Sequence, residues 1–164
     1  MNIKDSRRLG RSAGFLFFGL AALLAGSAAQ AKPNFSGEWK LNVSKSEFGP
    51  MPPPASRTDK ITHADPNLKV STTQASQAGE GTFDFNYTTD GAETTNEIRG
   101  TPAKSTAKWE GDALVITTKA SFNGNDITLA DKWVLSEDGK TLTINRHIKS
   151  PQGELDQKLA MEKQ

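Results

Sequence analysis

Residues 107–148 read AKWEGDALVITTKASFNGNDITLADKWVLSEDGKTLTINRHI, and the turn pairs inside this stretch decide the fold. Asn123-Gly124 and Asp138-Gly139 are two-residue hairpin signals, since both central positions of a type I′ turn need positive φ; Gly111-Asp112 is a third, of the Gly-first kind. A two-residue turn fixes which residues face each other across the hairpin. Asp138-Gly139 therefore sets Leu135 against Leu142, Trp133 against Ile144, Asp131 against Arg146 and Leu129 against Ile148. Asn123-Gly124 sets Leu114 against Trp133 and Ile116 against Asp131, and Gly111-Asp112 adds Trp109 beside Leu114 and Ala107 beside Ile116. A further turn around Ser150 to Gly153 places Leu155 by Ile148, Gln157 by Arg146 and Leu159 by Ile144.

These turns agree on one inner face. Its first row is Trp109, Leu114, Trp133, Ile144 and Leu159, and its second is Ala107, Ile116, Asp131, Arg146 and Gln157. The alternate residues, such as Lys108, Thr117, Lys132, Asn145 and His147, suit water. An unpaired buried charge is costly, so Arg146 needs a partner, and the register supplies Asp131. The pair is either an internal ion pair that pins the register or an anchor for a ligand head group, because the guanidinium fork matches a carboxylate.

Working outward, Asp90-Gly91 predicts a hairpin that aligns Phe83 with Ile98, Phe85 with Asn96 and Tyr87 with Thr94. Aromatic on one strand and polar on the next, this lining suits an amphipathic cavity. Strands are expected near 35–42, 57–63, 67–74, 81–88, 92–99, 103–110, 113–121, 126–136, 140–149 and 154–162. The expected fold is all-β, an antiparallel up-and-down barrel of about 8–10 strands. Four hairpins in about 60 residues leave no space for crossover helices. The irregular stretch 44–56, with four prolines, is excluded from a central strand and is expected to lie as a loop across one barrel end, Phe48 and Met51 dipping inward.

Before this domain, residues 1–31 run from Lys4, Arg7, Arg8 and Arg11 through an apolar stretch, residues 14–26, to Ala29-Gln30-Ala31. That is the layout of a secretory signal peptide, and the apolar run is short of the roughly 20 residues a membrane span needs. Cleavage after Ala31 is expected, leaving residues 32–164 as one exported domain without a stable membrane anchor. Ser6-Arg7-Arg8 resembles the start of a twin-arginine motif, but Gly10 and Arg11 stand where its apolar pair belongs, so Sec and twin-arginine export both remain open. The whole chain, 164 residues at +1, looks neutral; residues 32–164 alone carry 16 basic and 18 acidic side chains, a net charge of −2, with sixteen threonines. That balance gives no footprint for nucleic acid, and with no cysteine the fold has neither disulfides nor thiolate metal sites.

The domain opens on Asn34-Phe35-Ser36-Gly37-Glu38-Trp39-Lys40-Leu41-Asn42. This resembles the Gly-x-Trp signature on the first strand of the lipocalins, and with the meander behind it residues 33–163 are similar to the calycin-type barrels of bacterial exported proteins. The resemblance implies that Trp39 packs at the closed barrel end under an arginine from a late strand, for which Arg146 is the candidate. The Thr-Asp-Tyr lipocalin motif and a C-terminal helix are missing. Ten strands around an arginine are closer to the fatty-acid-binding-protein layout, although the proline-rich 44–56 loop does not suit its two-helix lid.

No Ser-His-Asp order with a nucleophile elbow and no phosphate-binding glycine loop occurs, so an enzyme is not expected and no cofactor is implied. His63 and His147 are the only histidines. His63 is the one candidate haem ligand, although a lone strand-end histidine is expected at the surface, and His147 falls on the outer face. The functional expectation is a monomeric periplasmic or secreted barrel that binds a small hydrophobic or amphipathic molecule. Phe85, Tyr87, Trp109 and Trp133 would form the wall, with Asn96, Asp131, Arg146 and Gln157 as polar groups. The alternative is a structural or interaction protein of the cell envelope whose barrel is filled by its own side chains.

Overall fold

The computed structural model describes residues 31–77 and 79–164. The expected signal peptide, apart from Ala31, lies outside the described residues. Ten strands follow one another: β1 (Gly37–Leu41), β2 (Ser56–Ala64), β3 (Asn67–Ser76), β4 (Gly79–Thr88), β5 (Asp90–Ile98), β6 (Thr101–Glu110), β7 (Ala113–Phe122), β8 (Asn125–Leu135), β9 (Thr141–Ser150) and β10 (Gly153–Lys163). A short 3-10 helix, Val43–Lys45, is the one helix among the described residues.

The strands form a single sheet in the order β4-β3-β2-β1-β10-β9-β8-β7-β6-β5, every neighbouring pair antiparallel. This is an up-and-down meander that closes through β1 and β10 and leaves its seam between β4 and β5. The registers expected for the last five strands hold residue by residue: Trp109 faces Leu114, Leu114 faces Trp133, Trp133 faces Ile144, Asp131 faces Arg146 and Leu155 faces Ile148. Asn123 and Gly124 take φ 51 and 80, as a type I′ turn demands.

The Asp90-Gly91 hairpin departs from expectation. Its two strands share no backbone ladder. Instead the side chain of Asn96 on β5 reaches across, its Oδ1 accepting from the Asn86 N–H at 2.7 Å and its Nδ2 donating to the Asn86 carbonyl at 3.1 Å. Asn96 thus meets Asn86 rather than Phe85. The turn chemistry brought the chain back, but a register shift on β5 between Asp90 and Glu93 commits that strand to β6 and breaks the match with β4.

The barrel is dry at one end only. Inward residues toward the closed end, among them Trp39, Ile61, Leu68, Leu114, Trp133, Leu142, Ile144 and Met161, are all buried. Further along the same strands, inward Phe83, Phe85, Leu129, Ile148 and Leu155 remain partly accessible. The closed end is sealed by residues 32–36 lying across it. Phe35 is wholly buried, stacks on His63 and Trp109 at 5.5 and 5.8 Å and meets Trp133 edge-on at 5.5 Å.

His63 is therefore a buried residue, 5% exposed, and not the surface histidine expected. It follows Asp59 and Ile61 on the inward alternation of β2, and the N-terminal segment covers it. Its Nδ1 accepts the Phe35 N–H at 3.2 Å and its Nε2 lies 2.9 Å from Asp65 Oδ1, so the neutral tautomer with a proton on Nε2 satisfies both contacts. Asp65 Oδ1 also accepts the Thr89 hydroxyl at 2.7 Å. Burial raises the Asp65 carboxyl, but Thr89, His63 and Trp109 outweigh it and hold the group below its ordinary value. His147 lies on the outer face as expected, beside Asp156 and Glu154.

Trp39 sits at the closed end, wholly buried, its indole N–H donating to the Phe35 carbonyl at 2.8 Å. The cation over its ring is Lys163 of β10, with Nζ 5.3 Å from the ring centroid, and not Arg146, which is held mid-barrel by Asp131. Gly37 makes that crossing feasible. It has φ 137, and a Cβ there would stand 2.8 Å from Lys163 Cε.

Candidate functional site

Between the dry end and the open end lies a layer of polar side chains. On β8 and β9, Arg146 donates from Nε and Nη2 to the two oxygens of Asp131, both at 2.7 Å. On β2, Arg57 and Asp59 repeat the arrangement within one strand, with Nε to Oδ1 at 2.9 Å and Nη2 to Oδ2 at 2.8 Å. Alternation puts residues two apart on one face, so the inward path of β2 brings this pair together without a partner strand. Asp59 is wholly buried. On the opposite wall the Ser105 and Thr118 hydroxyls bond each other at 2.9 Å, both buried.

The two ion pairs and Tyr87 form one electrostatic group. Burial would lower the Arg146 guanidinium, but Asp131 above all, then Tyr87 and Asp59, hold it above its ordinary value. Burial pushes the Tyr87 phenol well up, and the Asp131 carboxylate adds to the rise. Tyr87 also stacks on Phe85, centroids 6.0 Å apart and rings 9° from parallel.

Above this layer is a cavity of about 160 Å³. Arg57, Arg146, Gln74 and Gln157 give it polar walls; Leu41, Ile148 and Leu159 line it from the strands, and Phe48, Met51, Pro52 and Pro54 cover it from the loop. A second hollow of about 380 Å³ at the rim, walled by Phe83 and Arg99, shares Gln74 with the first. The loop is fastened to the barrel: Glu47 bridges to Lys158 on β10, and Gln157 Nε2 donates to the Phe48 carbonyl at 3.3 Å. Phe48 packs against the core as expected, whereas Met51 is 46% exposed and touches the interior through its sulfur, 3.5 Å from Gln157 Nε2.

Of the residues singled out in the sequence, Asp131, Arg146 and Gln157 meet in the polar layer, and Phe85 and Tyr87 face inward beside it. Asn96 is buried but spent on bridging the seam. Trp109 and Trp133, expected as wall, pack in the closed-end plug around Phe35 instead, because the first inner row lies one layer nearer that end. They are not among the residues lining the cavity, and among the described residues the buried Trp133 indole N–H has no hydrogen-bond partner. The Arg57-Asp59 pair escaped the sequence reading. Its signal was an Arg-x-Asp on a strand whose later alternates, Ile61 and His63, point inward.

No family model and no curated protein matches the sequence. Solved structures do match the fold. A zebrafish ileal bile acid-binding protein complexed with cholic acid is similar at TM-score 0.57 and 17% identity, over 79% of this chain and 98% of that one. The shared feature is the antiparallel up-and-down β-barrel. A secretory abundant heat soluble protein from Ramazzottius varieornatus (TM-score 0.52, 14% identity, 79% and 94% covered) and the fluorescent protein UnaG (0.51, 16%, 79% and 97%) share it. At these identities the likeness is one of fold, which accounts for the ten strands.

Proposed function

We propose that this protein is an exported carrier or sensor that holds a small hydrophobic or amphipathic molecule inside the open half of its barrel. The observation that carries the reading is the cavity over the Arg57-Asp59 and Asp131-Arg146 pairs, capped by the proline-rich loop. A barrel filled by its own residues would have no reason to leave inward Phe83, Phe85, Leu129, Ile148 and Leu155 partly accessible. The bile acid in the zebrafish structure makes such an occupant consistent with the fold. At about 160 Å³ the cavity is below the roughly 300–1,000 Å³ of common ligand sites, so the occupant is small or extends past Gln74 into the rim hollow. Binding is favoured over catalysis because both carboxylates of the polar layer are committed to arginines, leaving no free base.

Export rests on residues 1–31, and periplasmic or secreted localisation goes with it. N-terminal sequencing of the mature protein from cell fractions tests this part: cleavage after Ala31 supports it, and an intact cytoplasmic chain overturns it. The neutral dye N-phenyl-1-naphthylamine tests the cavity. Fluorescence enhancement that 1-decanol reverses supports an interior site. No enhancement favours the envelope structural protein, a reading to which the small cavity and the dry closed half lend weight.

A further inference from the structure

We propose that the cavity selects an uncharged polar head group, such as a hydroxyl, amide or ester, and discriminates against ions of either sign. This rests on the interior-binding reading above and names its ligand class. Arginines in a buried cavity ordinarily invite a carboxylate, since the guanidinium offers a planar fork and a full positive charge. Here the Nε–Nη2 fork of each arginine is already filled. Arg146 gives Nε and Nη2 to Asp131, and Arg57 gives the same two nitrogens to Asp59, so each guanidinium already has its carboxylate and keeps only the Nη1 side for a ligand.

The charge is cancelled as well as the hydrogen bonding. The two arginines and two aspartates of the layer sum to zero, and the groups around them, Tyr87, Gln74, Gln157, Ser105 and Thr118, are uncharged polar side chains. A carboxylate entering this cavity would shed its water and find no net positive charge, and an ammonium would find no net negative one. A hydroxyl or amide loses less hydration and can still bond to guanidinium N–H groups outside the fork and to the glutamine amides. Chain length is unconstrained by this argument; the sign and magnitude of the head-group charge are constrained.

The test uses three ligands with one decyl chain, 1-decanol, decanoate and decyltrimethylammonium, displacing N-phenyl-1-naphthylamine from the domain at pH 8. The expected order is decanol tightest by at least tenfold, with the two ions within a few-fold of each other. Decanoate that matches decanol, or that exceeds the ammonium by more than tenfold, overturns the proposal while leaving interior binding intact. A dye that never binds overturns both. Asp131→Asn strips the counter-charge from Arg146 and is expected to move decanoate at least tenfold closer to decanol. Should that variant not fold, titrating the wild type to pH 4, where decanoate becomes the neutral acid, is expected to bring its affinity close to that of decanol; an unchanged affinity counts against the idea.

Discussion

Arg57 and Asp59 form a closed ion pair within a single strand, two parallel hydrogen bonds at 2.9 and 2.8 Å, with the Asp59 carboxylate wholly removed from solvent. Removing one partner of a buried pair leaves an uncompensated charge, at a cost of about 3–5 kcal/mol. Arg57→Leu is therefore expected to lower stability in urea by about that much. The Asp131 side chain is 13% exposed, so its carboxylate is less completely desolvated than that of Asp59. Arg146→Leu should cost less than Arg57→Leu, and an inverted order would show that the Asp59 site is better hydrated than its burial indicates. Replacing both partners together, Arg57→Leu with Asp59→Leu, is expected to recover most of the loss.

At the closed end, Gly37 and Lys163 depend on each other. The Gly37→Ala substitution meets a positive φ of 137 and a Lys163 methylene 2.8 Å from the new carbon. Backbone strain of this kind costs on the order of 1–3 kcal/mol. Lys163→Ala removes the steric part and the cation over Trp39, itself worth about 0.5–1 kcal/mol. The double variant is expected to be less destabilised than the sum of the two, and strict additivity in a double-mutant cycle would contradict the contact.

Asn96 closes the seam between β4 and β5 by bonding both the N–H and the carbonyl of Asn86. Asn96→Ala leaves those groups without it, at about 1–3 kcal/mol. Amide hydrogen exchange should quicken first at Asn86 and its neighbours on β4, with β7 to β9 unchanged. Uniform acceleration through the barrel would mean that the bridge supports global rather than local stability.

The Asp65 carboxyl is held below its ordinary value by Thr89, His63 and Trp109 against the opposing effect of burial. A depressed carboxylate contributes stability that is present above its unfolded value of about 3.9 and lost as pH falls through the lower folded value. Asp65→Asn should flatten the fall in stability below pH 4 while lowering stability at neutral pH. Identical acid profiles for the two proteins would remove Asp65 from the account.

What could be read from the sequence follows the chemistry of the turns. Where Gly111-Asp112, Asn123-Gly124, Asp138-Gly139 and the turn from Ser150 to Gly153 fix the hairpins, every cross-strand partner from Trp109 to Leu159 follows, including Asp131 opposite Arg146. Where the pairing depends on long-range closure, the reading stops. Nothing local in Asp90-Gly91 shows that β5 shifts its register against β6, so the seam was invisible. The burial of His63 comes from residues 32–36 folding back over the barrel end, a contact nearly thirty positions away that no local pattern signals. Trp109 and Trp133 were placed on the correct face but at the wrong height, since register fixes neighbours and not which end of a barrel is open.

Whether the open half above the polar layer takes up a ligand can be read from methyl-resolved NMR of the domain titrated with 1-decanol. Leu41, Leu129, Ile148, Leu155 and Leu159 are predicted to shift in a saturable manner, while Leu68, Leu114, Leu142 and Ile144 in the dry half stay in place. Saturable shifts in the dry half alone, or none at all, would contradict binding in the open half.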